Sequence, residues 1–275
     1  MDAESGAPLA SFEGKWTAAH PEFGAALAFV APAERNAQSA FACLAFELEH
    51  AAFALRDAEP AAIKLQWWAE ELARAVRGEA RHPLTRTLAA HAPFAGVPQA
   101  RWFEVVRGAL AQRDADPAAD RTRLLDGYAE LYRPLALIES GLFAGVDAEA
   151  GARASALSRA VHETANLADA LRAGRLPLPL DLLAQHRLAR GSIAQASPTQ
   201  VAALQQWLGE LAREFDALRG ARVGALRSAA AAADRVRARA SARAAEPVVA
   251  LSAARARLPL AAIWAAWRGA RRARA

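Results

Sequence analysis

The amino-acid sequence predicts an all-α protein, and two observations carry this prediction. Segments of about 12–25 residues rich in Ala, Leu, Arg and Glu, all strong helix formers, fill most of the 275-residue chain. No alternating β-branched stretch of strand length interrupts them. We therefore expect helices throughout, joined by short loops.

Stretches that contain proline or glycine mark the expected ends of the helices. In chain order they are HPEFG, VAPAER, AEPAA, RHPL, HAPFAGVP, DADPAAD, GRLPLPLDLL and ASPTQ. An alanine-rich helix follows VAPAER, and the helix containing IKLQWWAEEL follows AEPAA. The longest helical run starts at ASPTQ, where Ser197 or Thr199 can cap it, and continues to Glu246. Apolar residues at spacings of three and four form one stripe along that run: Leu204, Trp207, Leu208, Leu211, Phe215 and Leu218.

The charge of the chain is divided between an acidic body and a basic C-terminal region. Residues 217–275 contain thirteen arginines against Asp234 and Glu246, a net charge of +11, whereas the whole chain carries +5. The first 216 residues therefore carry −6. We interpret residues 1–216 as one helical domain, and residues 217–275 as a long basic helix and arginine-rich tail packed on it or extending from it. A basic tail favours an acidic partner.

The composition excludes several classes of protein. The single cysteine, Cys43, rules out an internal disulfide framework and a multi-cysteine metal site. The histidines lack the spacing of a helical metal site. The acidic N-terminus has no apolar h-region, and no charge-free run of about 18 apolar residues occurs. We therefore expect a cytoplasmic protein with neither a signal peptide nor a spanning helix.

Two adjacent tryptophans, Trp67 and Trp68, are the most unusual feature of the sequence. On a helix, Trp68 shares one face with Leu65 and Leu72, and Trp67 lies about 100° further round. One interpretation is that Trp68 packs inward and Trp67 fills the seam with a neighbouring helix. The other is that both tryptophans wall an apolar cavity for a lipid-like ligand.

Several segments between about Ala31 and Leu188 together carry a resemblance to a known family. In order they are APAERNAQSAFACLAFELE, AEPAAIKLQWWAEEL, LLDGYAELYRPLALIESGLFAGV, HETANLADALRAGR and GRLPLPLDLL. They resemble segments of the squalene/phytoene synthase family in order and spacing. The paired tryptophans followed by the GRLPLP segment are the most specific part, and over the C-terminal third the resemblance is limited to a long helix.

The resemblance implies an isoprenoid-synthase-type helical bundle around a central apolar cavity that holds prenyl chains. In active members of the family, two aspartate-rich clusters at the cavity mouth hold three Mg²⁺ that grip the diphosphate of the substrate. The family positions at the cavity and its mouth correspond here to nine candidate ligand-binding residues: Arg35, Glu49, Trp67, Trp68, Tyr128, Asn166, Asp169, Arg172 and Arg175.

The metal-binding pattern of the family is incomplete in this sequence. Ala51 and Ala52 stand where the paired aspartates of the first cluster are expected, and Leu55 stands at the later one. The second cluster keeps Asn166 and a single carboxylate, Asp169. Few hard oxygen ligands remain for Mg²⁺. The sequence is therefore most similar to the non-catalytic branch of the family, which includes a mitochondrial complex I assembly factor.

The leading interpretation is a squalene/phytoene-synthase-like protein without synthase activity and without a cofactor. Such a protein binds a prenyl or other apolar, lipid-like ligand, or acts as a membrane-associated assembly factor. The alternative is a divergent prenyl transferase with Mg²⁺ in a rebuilt site, for which the candidate ligands are Glu47, Glu49, Asp57, Glu163 and Asp169. A third interpretation is a scaffold whose cavity has collapsed.

The end of the chain has the pattern of an amphipathic helix. Apolar residues gather on one side, and arginines follow: Leu260, Ile263, Trp264 and Trp267, then Arg268, Arg271, Arg272 and Arg274. Tryptophan and arginine at an apolar–polar boundary suit an anionic membrane surface, which would place the protein peripherally on an inner membrane face. The other interpretation is a helix docked on the core, and a protein partner for the basic tail also remains open. No nucleic-acid-binding signature is present, so no nucleic-acid partner is expected.

Overall fold

Helices form nearly all of the regular structure in residues 6–273, the part of the chain described by the computed structural model. No β-strand occurs in that range, which confirms the all-α prediction. Residues 1–5 of the acidic N-terminus and Arg274 of the predicted tail lie outside the described residues. Fourteen α-helices lie in the described range: α1 Gly6–Ala19, α2 Pro21–Leu27, α3 Pro32–Glu49, α4 Ala58–Val76, α5 Pro83–Ala89, α6 Gln99–Ala111, α7 Arg121–Leu142, α8 Ala148–Ala165, α9 Leu167–Arg172, α10 Leu180–Gln185, α11 Pro198–Ala217, α12 Gly224–Ser241, α13 Pro247–Arg255 and α14 Leu260–Ala273.

The long run after ASPTQ forms two helices, so the expectation of one continuous helix is wrong. Ser197 caps α11, accepting a hydrogen bond of 3.1 Å from the backbone N–H of Gln200, as one of the two predicted caps. The helix ends at Ala217, and α12 starts at Gly224. Between them Gly220 has a φ of 104°, a left-handed conformation that a helix interior cannot accommodate.

Half of the other described helices pack against α7 or α12. The helix α7 lies against α6 and α8, and α12 lies against α2, α8, α11 and α14. Helices α6 and α7 approach closely at Gly108, because a Cβ there would meet the backbone of Glu130 and Leu131. Ala229 and Ala233 of α12 belong to the same continuous core as the N-terminal helices. The basic helix predicted after residue 217 is therefore part of the same body.

A π-helical turn, His50–Ala54, follows α3 directly. Ala51 and Ala52, the positions of the expected aspartate pair, are completely buried in it. Arg113 of the α6–α7 connection donates hydrogen bonds to the backbone carbonyls of Ala51 and Leu55, at 3.1 and 2.9 Å. These bonds satisfy acceptors that a π turn leaves without regular α-helical partners. The turn thus presents its backbone and Phe53, rather than carboxylates, to its surroundings.

The described residues contain no single helix that is both long and apolar enough to cross a membrane. Helices α13 and α14 meet that criterion only as a pair, and a bend of 59° separates them.

Candidate functional site

A cavity of about 320 Å³ lies among α3, the π turn, α8, α9 and the end of α13. Its volume is at the small end of the range for ligand pockets. Four of the predicted site residues line it: Glu49, Asn166, Asp169 and Arg175. The other lining residues are Ala19, His20, Phe46, His50, Phe53, Ala54, Arg56, Arg159, His162, Glu163, Ala170, Ala173 and Arg255. We call this space the central cavity.

Arg159 on α8 is the charged group with the most contacts in the central cavity. Its guanidinium forms an ion pair with Glu49 and lies 3.7 Å from an oxygen of Glu163. Its Nε donates to the Tyr132 hydroxyl at 3.0 Å, and its guanidinium carbon lies 4.3 Å from the centre of the Phe53 ring. Although burial disfavours the charge, these polar neighbours raise the pKa of Arg159 above its usual value. Arg159 therefore remains a fixed positive charge.

The remaining carboxylates of the central cavity are also paired with arginines. Arg175 lies 3.1 Å from Glu163 and donates to the backbone carbonyl of Phe53 at 2.7 Å. Asp169 lies 2.5 Å from Arg172 and 3.5 Å from Arg56. Each carboxylate that lines the cavity thus has at least one guanidinium partner.

Arg255 is the exception among the cavity arginines. It has no carboxylate at ion-pair distance among the described residues, and its one polar side-chain contact is a 3.4 Å hydrogen bond to Asn166 Oδ1. Burial is the main cause of the lowered pKa of Arg255. The lining carries four arginines against three carboxylates, an excess of one positive charge. The central cavity is therefore suited to an anionic group.

The residues present do not fit the three-magnesium site of the active family. Mg²⁺ requires several converging oxygen ligands, and the alanines of the π turn supply none. Glu47 points to Lys15 and Lys64, at 2.6 Å from each, and does not line the cavity. Asp57 is exposed ahead of α4. Among residues 6–273, no group of three or more His, Cys, Asp or Glu side chains is arranged to hold a metal ion.

The two tryptophans lie outside the lining of the central cavity. Trp68 is buried with 2% of its surface exposed, whereas Trp67 is 41% exposed. Both rings contact His82, with ring centres 4.9 Å from Trp68 and 5.6 Å from Trp67. The inward direction of Trp68 follows the helical spacing. Neither tryptophan lines the central cavity, and the interpretation of the pair as a wall of an apolar cavity stays a prediction. Their neighbour is the start of α5.

Three further candidates also lie away from the lining. Arg35 donates to the backbone carbonyls of Leu27 and Val30, and so ties the end of α2 to α3. Tyr128 is buried behind Phe53, with 6.0 Å between ring centres. Arg172 is exposed and reaches the cavity only through its ion pair with Asp169.

Sequence reasoning missed Arg159, Phe53 and Arg255 as site residues. The spacing of four between Arg159 and Glu163 on α8 is a detectable signal, because such residues are neighbours on a helix. Arg255 has no comparable signal, since α13 meets α8 only through tertiary packing.

A second, smaller cavity of about 100 Å³ adjoins the first. Both are lined by Phe46, Glu49, Arg159 and His162, so the Glu49–Arg159 pair lies at their boundary. Beside it, His162 lies 3.5 Å from the buried Asp234, which Arg237 neutralises at 3.0 Å. The smaller cavity is therefore separated from the central cavity by a charged boundary.

The chain matches no protein-family model and no curated protein. Among solved structures it is similar to a dehydrosqualene synthase in complex with ligand, with a TM-score of 0.67, 14% identity and 86% of each chain covered. It is also similar to squalene synthase HpnC from Alicyclobacillus acidocaldarius, with a TM-score of 0.65, 16% identity, and 87% of this chain and 93% of that chain covered. These likenesses confirm the predicted fold, and the likeness to the assembly-factor branch stays a prediction.

Proposed function

We propose that this protein is a squalene/phytoene-synthase-like ligand-binding protein without metal-dependent prenyl-transfer activity. The observation that carries the proposal is the pairing of every carboxylate in the central cavity with an arginine. The ligand class is an apolar chain, such as a prenyl chain, with an anionic head. The cavity of about 320 Å³ favours ligand binding over a scaffold whose cavity has collapsed.

The argument against catalysis is electrostatic. Loss of a diphosphate from an allylic carbon requires strong stabilisation of the departing negative charge, which metal ions supply in the active family. A metal at Glu49 or Glu163 would have to displace Arg159, whose charge is already neutralised there. The arrangement therefore favours a metal-free cavity of fixed ion pairs.

The argument for a ligand rests on the uncompensated charge and on the apolar part of the wall. Arg255 has guanidinium donors without a carboxylate partner, and arginine forks suit phosphate and carboxylate oxygens. Phe46 and Phe53 supply the aromatic part of the lining, and Ala170 and Ala173 supply small apolar surface. A head group beside Arg255 and the start of a chain against the two phenylalanines would use both features.

The test of this proposal measures turnover and binding on the same protein. Farnesyl or geranylgeranyl diphosphate with Mg²⁺ or Mn²⁺ should give no detectable inorganic diphosphate, because loss of one well-placed stabilising group already costs roughly 10²–10³ in rate. Calorimetry in the presence of a chelator should show binding of farnesyl diphosphate. Arg255→Gln should weaken that binding by roughly 10-fold or more and leave farnesol binding unchanged.

The matched control is Arg257→Gln, since Arg257 is exposed two residues further on and does not line the cavity. Metal-dependent diphosphate release that disappears in Asp169→Ala would restore the divergent prenyl transferase. Absence of binding by either the diphosphate or the alcohol would remove the ligand-binding function.

A further inference from the structure

The outer face of α14 is apolar and exposed. Leu260 has 82% of its surface exposed, Trp264 has 57% and Trp267 has 36%. The two indole rings stack on each other with 4.7 Å between their centres. Leu258, in the short connection from α13, is also exposed and precedes this face. Two stacked tryptophans on a protein surface are unusual, because large aromatic rings normally bury most of their area.

The inner face of the same helix is built from small residues. Ala262, Ala266 and Gly269 are buried, and the helix packs against α12 and α2. A Cβ at Gly269 would lie 2.6 Å from the backbone carbonyl oxygen of Gly224, so only glycine permits this approach. The helix therefore docks on the core, as one interpretation of the sequence expected. It docks through its small residues and leaves its large apolar side chains outside.

Arginines border the exposed tryptophans. The guanidinium carbon of Arg268 lies 5.8 Å from the ring centre of Trp264, and that of Arg271 lies 5.0 Å from the ring centre of Trp267. Among the described residues neither arginine has a carboxylate at ion-pair distance. After residue 217 the chain contains only two acids, and Asp234 is buried against Arg237. The charge of this face is therefore uncompensated and positive.

We propose that the outer face of α14 docks on an anionic lipid bilayer. Leu258, Leu260, Trp264 and Trp267 form the inserted surface, and Arg268 and Arg271 bind lipid head groups at its edge. Indole rings prefer the boundary between head groups and acyl chains, and arginines beside them bind anionic head groups. An acidic protein partner would satisfy the arginines but would not require an exposed apolar face with stacked indoles.

This docking would also set the position of the central cavity. Arg255 lines the cavity, and Leu258 follows three residues later. Arg237 holds the intervening segment by donating to the backbone carbonyls of Arg255 and Arg257, at 3.2 and 3.1 Å. The proposed docking is independent of the ligand proposed for the central cavity, because only the exposed residues of α14 and Leu258 support it.

The experiment is co-sedimentation of the 275-residue chain with vesicles of phosphatidylcholine alone, or of phosphatidylcholine with about one quarter phosphatidylglycerol. We expect binding to the mixed vesicles and reduced binding at high salt. Trp264→Ser with Trp267→Ser should abolish sedimentation. Arg268→Gln with Arg271→Gln should weaken binding by about 25-fold, at about fivefold for each arginine.

The matched control is Ile63→Ser with Trp67→Ser, a second exposed apolar pair on a surface helix, at 61% and 41% exposure. It should sediment like the unmodified protein. Circular dichroism checks that each variant retains its helices. Failure of the unmodified chain to bind anionic vesicles, or equal binding by the tryptophan variant, would overturn the proposal. So would a dimer that the tryptophan variant loses in the absence of any vesicle binding.

Discussion

The central cavity and the outer face of α14 use the same two kinds of side chain, arginine and aromatic, in opposite ways. In the cavity, Arg159 lies over Phe53 and is bound to carboxylates on two helices. On α14, Arg271 lies over Trp267 and has no carboxylate partner among the described residues. Arg159 is therefore neutralised by carboxylates of the protein, whereas Arg271 has guanidinium donors available for an external anion.

The difference shows that the number of arginines in a chain does not indicate how many bind a ligand. A buried arginine with carboxylate partners stabilises packing, and its removal leaves a charge uncompensated. An exposed arginine without a partner contributes little to stability, because water screens its charge. Stability measurements on matched variants can therefore separate the two roles.

The largest expected effect is at Arg159. Arg159→Met leaves Glu49 without its ion-pair partner and also removes the contact with Glu163, whose side chain is 6% exposed. Breaking a pair of this kind lowers the free energy of unfolding by about 3–5 kcal/mol. Urea unfolding followed by circular dichroism measures the change. Arg271→Met is the control and should change the free energy by less than about 0.5 kcal/mol. Equal changes in the free energy of unfolding for the two substitutions would contradict the assignment of different roles to the two arginines.

Adjacent tryptophans on α4 test the same contrast between buried and exposed aromatic rings. Trp68→Ala should lower the free energy of unfolding by about 3 kcal/mol, at the low end for a buried tryptophan. The low value is expected because the buried indole N–H of Trp68 has no hydrogen-bond partner among the described residues, so one unsatisfied donor disappears. Trp67→Ala should cost about 1 kcal/mol. A larger effect at Trp67 would contradict the assigned burial.

The smallest expected effect concerns the pH dependence of stability. Histidines titrate near neutral pH, whereas the arginines of α14 keep their charge there. Burial lowers the pKa of His82 and outweighs the opposing attraction of Glu71. A histidine in the unfolded chain has a pKa of about 6.5. The unfolded chain therefore binds a proton at His82 more readily than the folded protein does. The contribution of His82 to the free energy of unfolding is fully present above about pH 6.5 and declines as the pH falls below that value.

His82→Asn should make this decline between pH 7 and pH 5 smaller. Asparagine keeps a side-chain acceptor for the backbone N–H of Leu84, which His82 Nδ1 accepts at 3.3 Å, and it does not titrate. His50 and His162 also have lowered pKa values owing to burial, so part of the decline should remain. Urea unfolding at each pH measures it, and an unchanged slope in the variant would exclude His82 as a contributor.

Local patterns made much of the fold predictable. The apolar stripe of α11 was readable from spacing, and Leu204, Trp207, Leu208, Leu211 and Phe215 are all buried. The end of α11 at Ala217 was not predictable from the sequence, because a glycine can lie inside a helix at modest cost. Only the left-handed φ of Gly220 shows that the helix ends there. Helix existence depends on local propensity, whereas helix ends depend on the conformation of single residues.

The candidate site was predictable only in part. Glu49, Asn166, Asp169 and Arg175 line the cavity because they belong to segments whose order resembles that of a known family. The partner of Glu49 was not predictable, because Arg159 is 110 residues away in the chain. Helical spacing placed Trp68 inward but could not identify its neighbour, since the spacing gives a direction within one helix and not the arrangement of helices.

The contact between Gly269 and Gly224 fixes the rotation of α14 about its own axis. Any side chain at position 269 would push the helix away from α12 or turn it. The residues that face outward are therefore determined by a residue that itself never reaches the surface. A single methyl group added at this buried point would change the direction in which both tryptophans face. Which residues the C-terminal helix exposes therefore depends on the absence of a side chain at position 269.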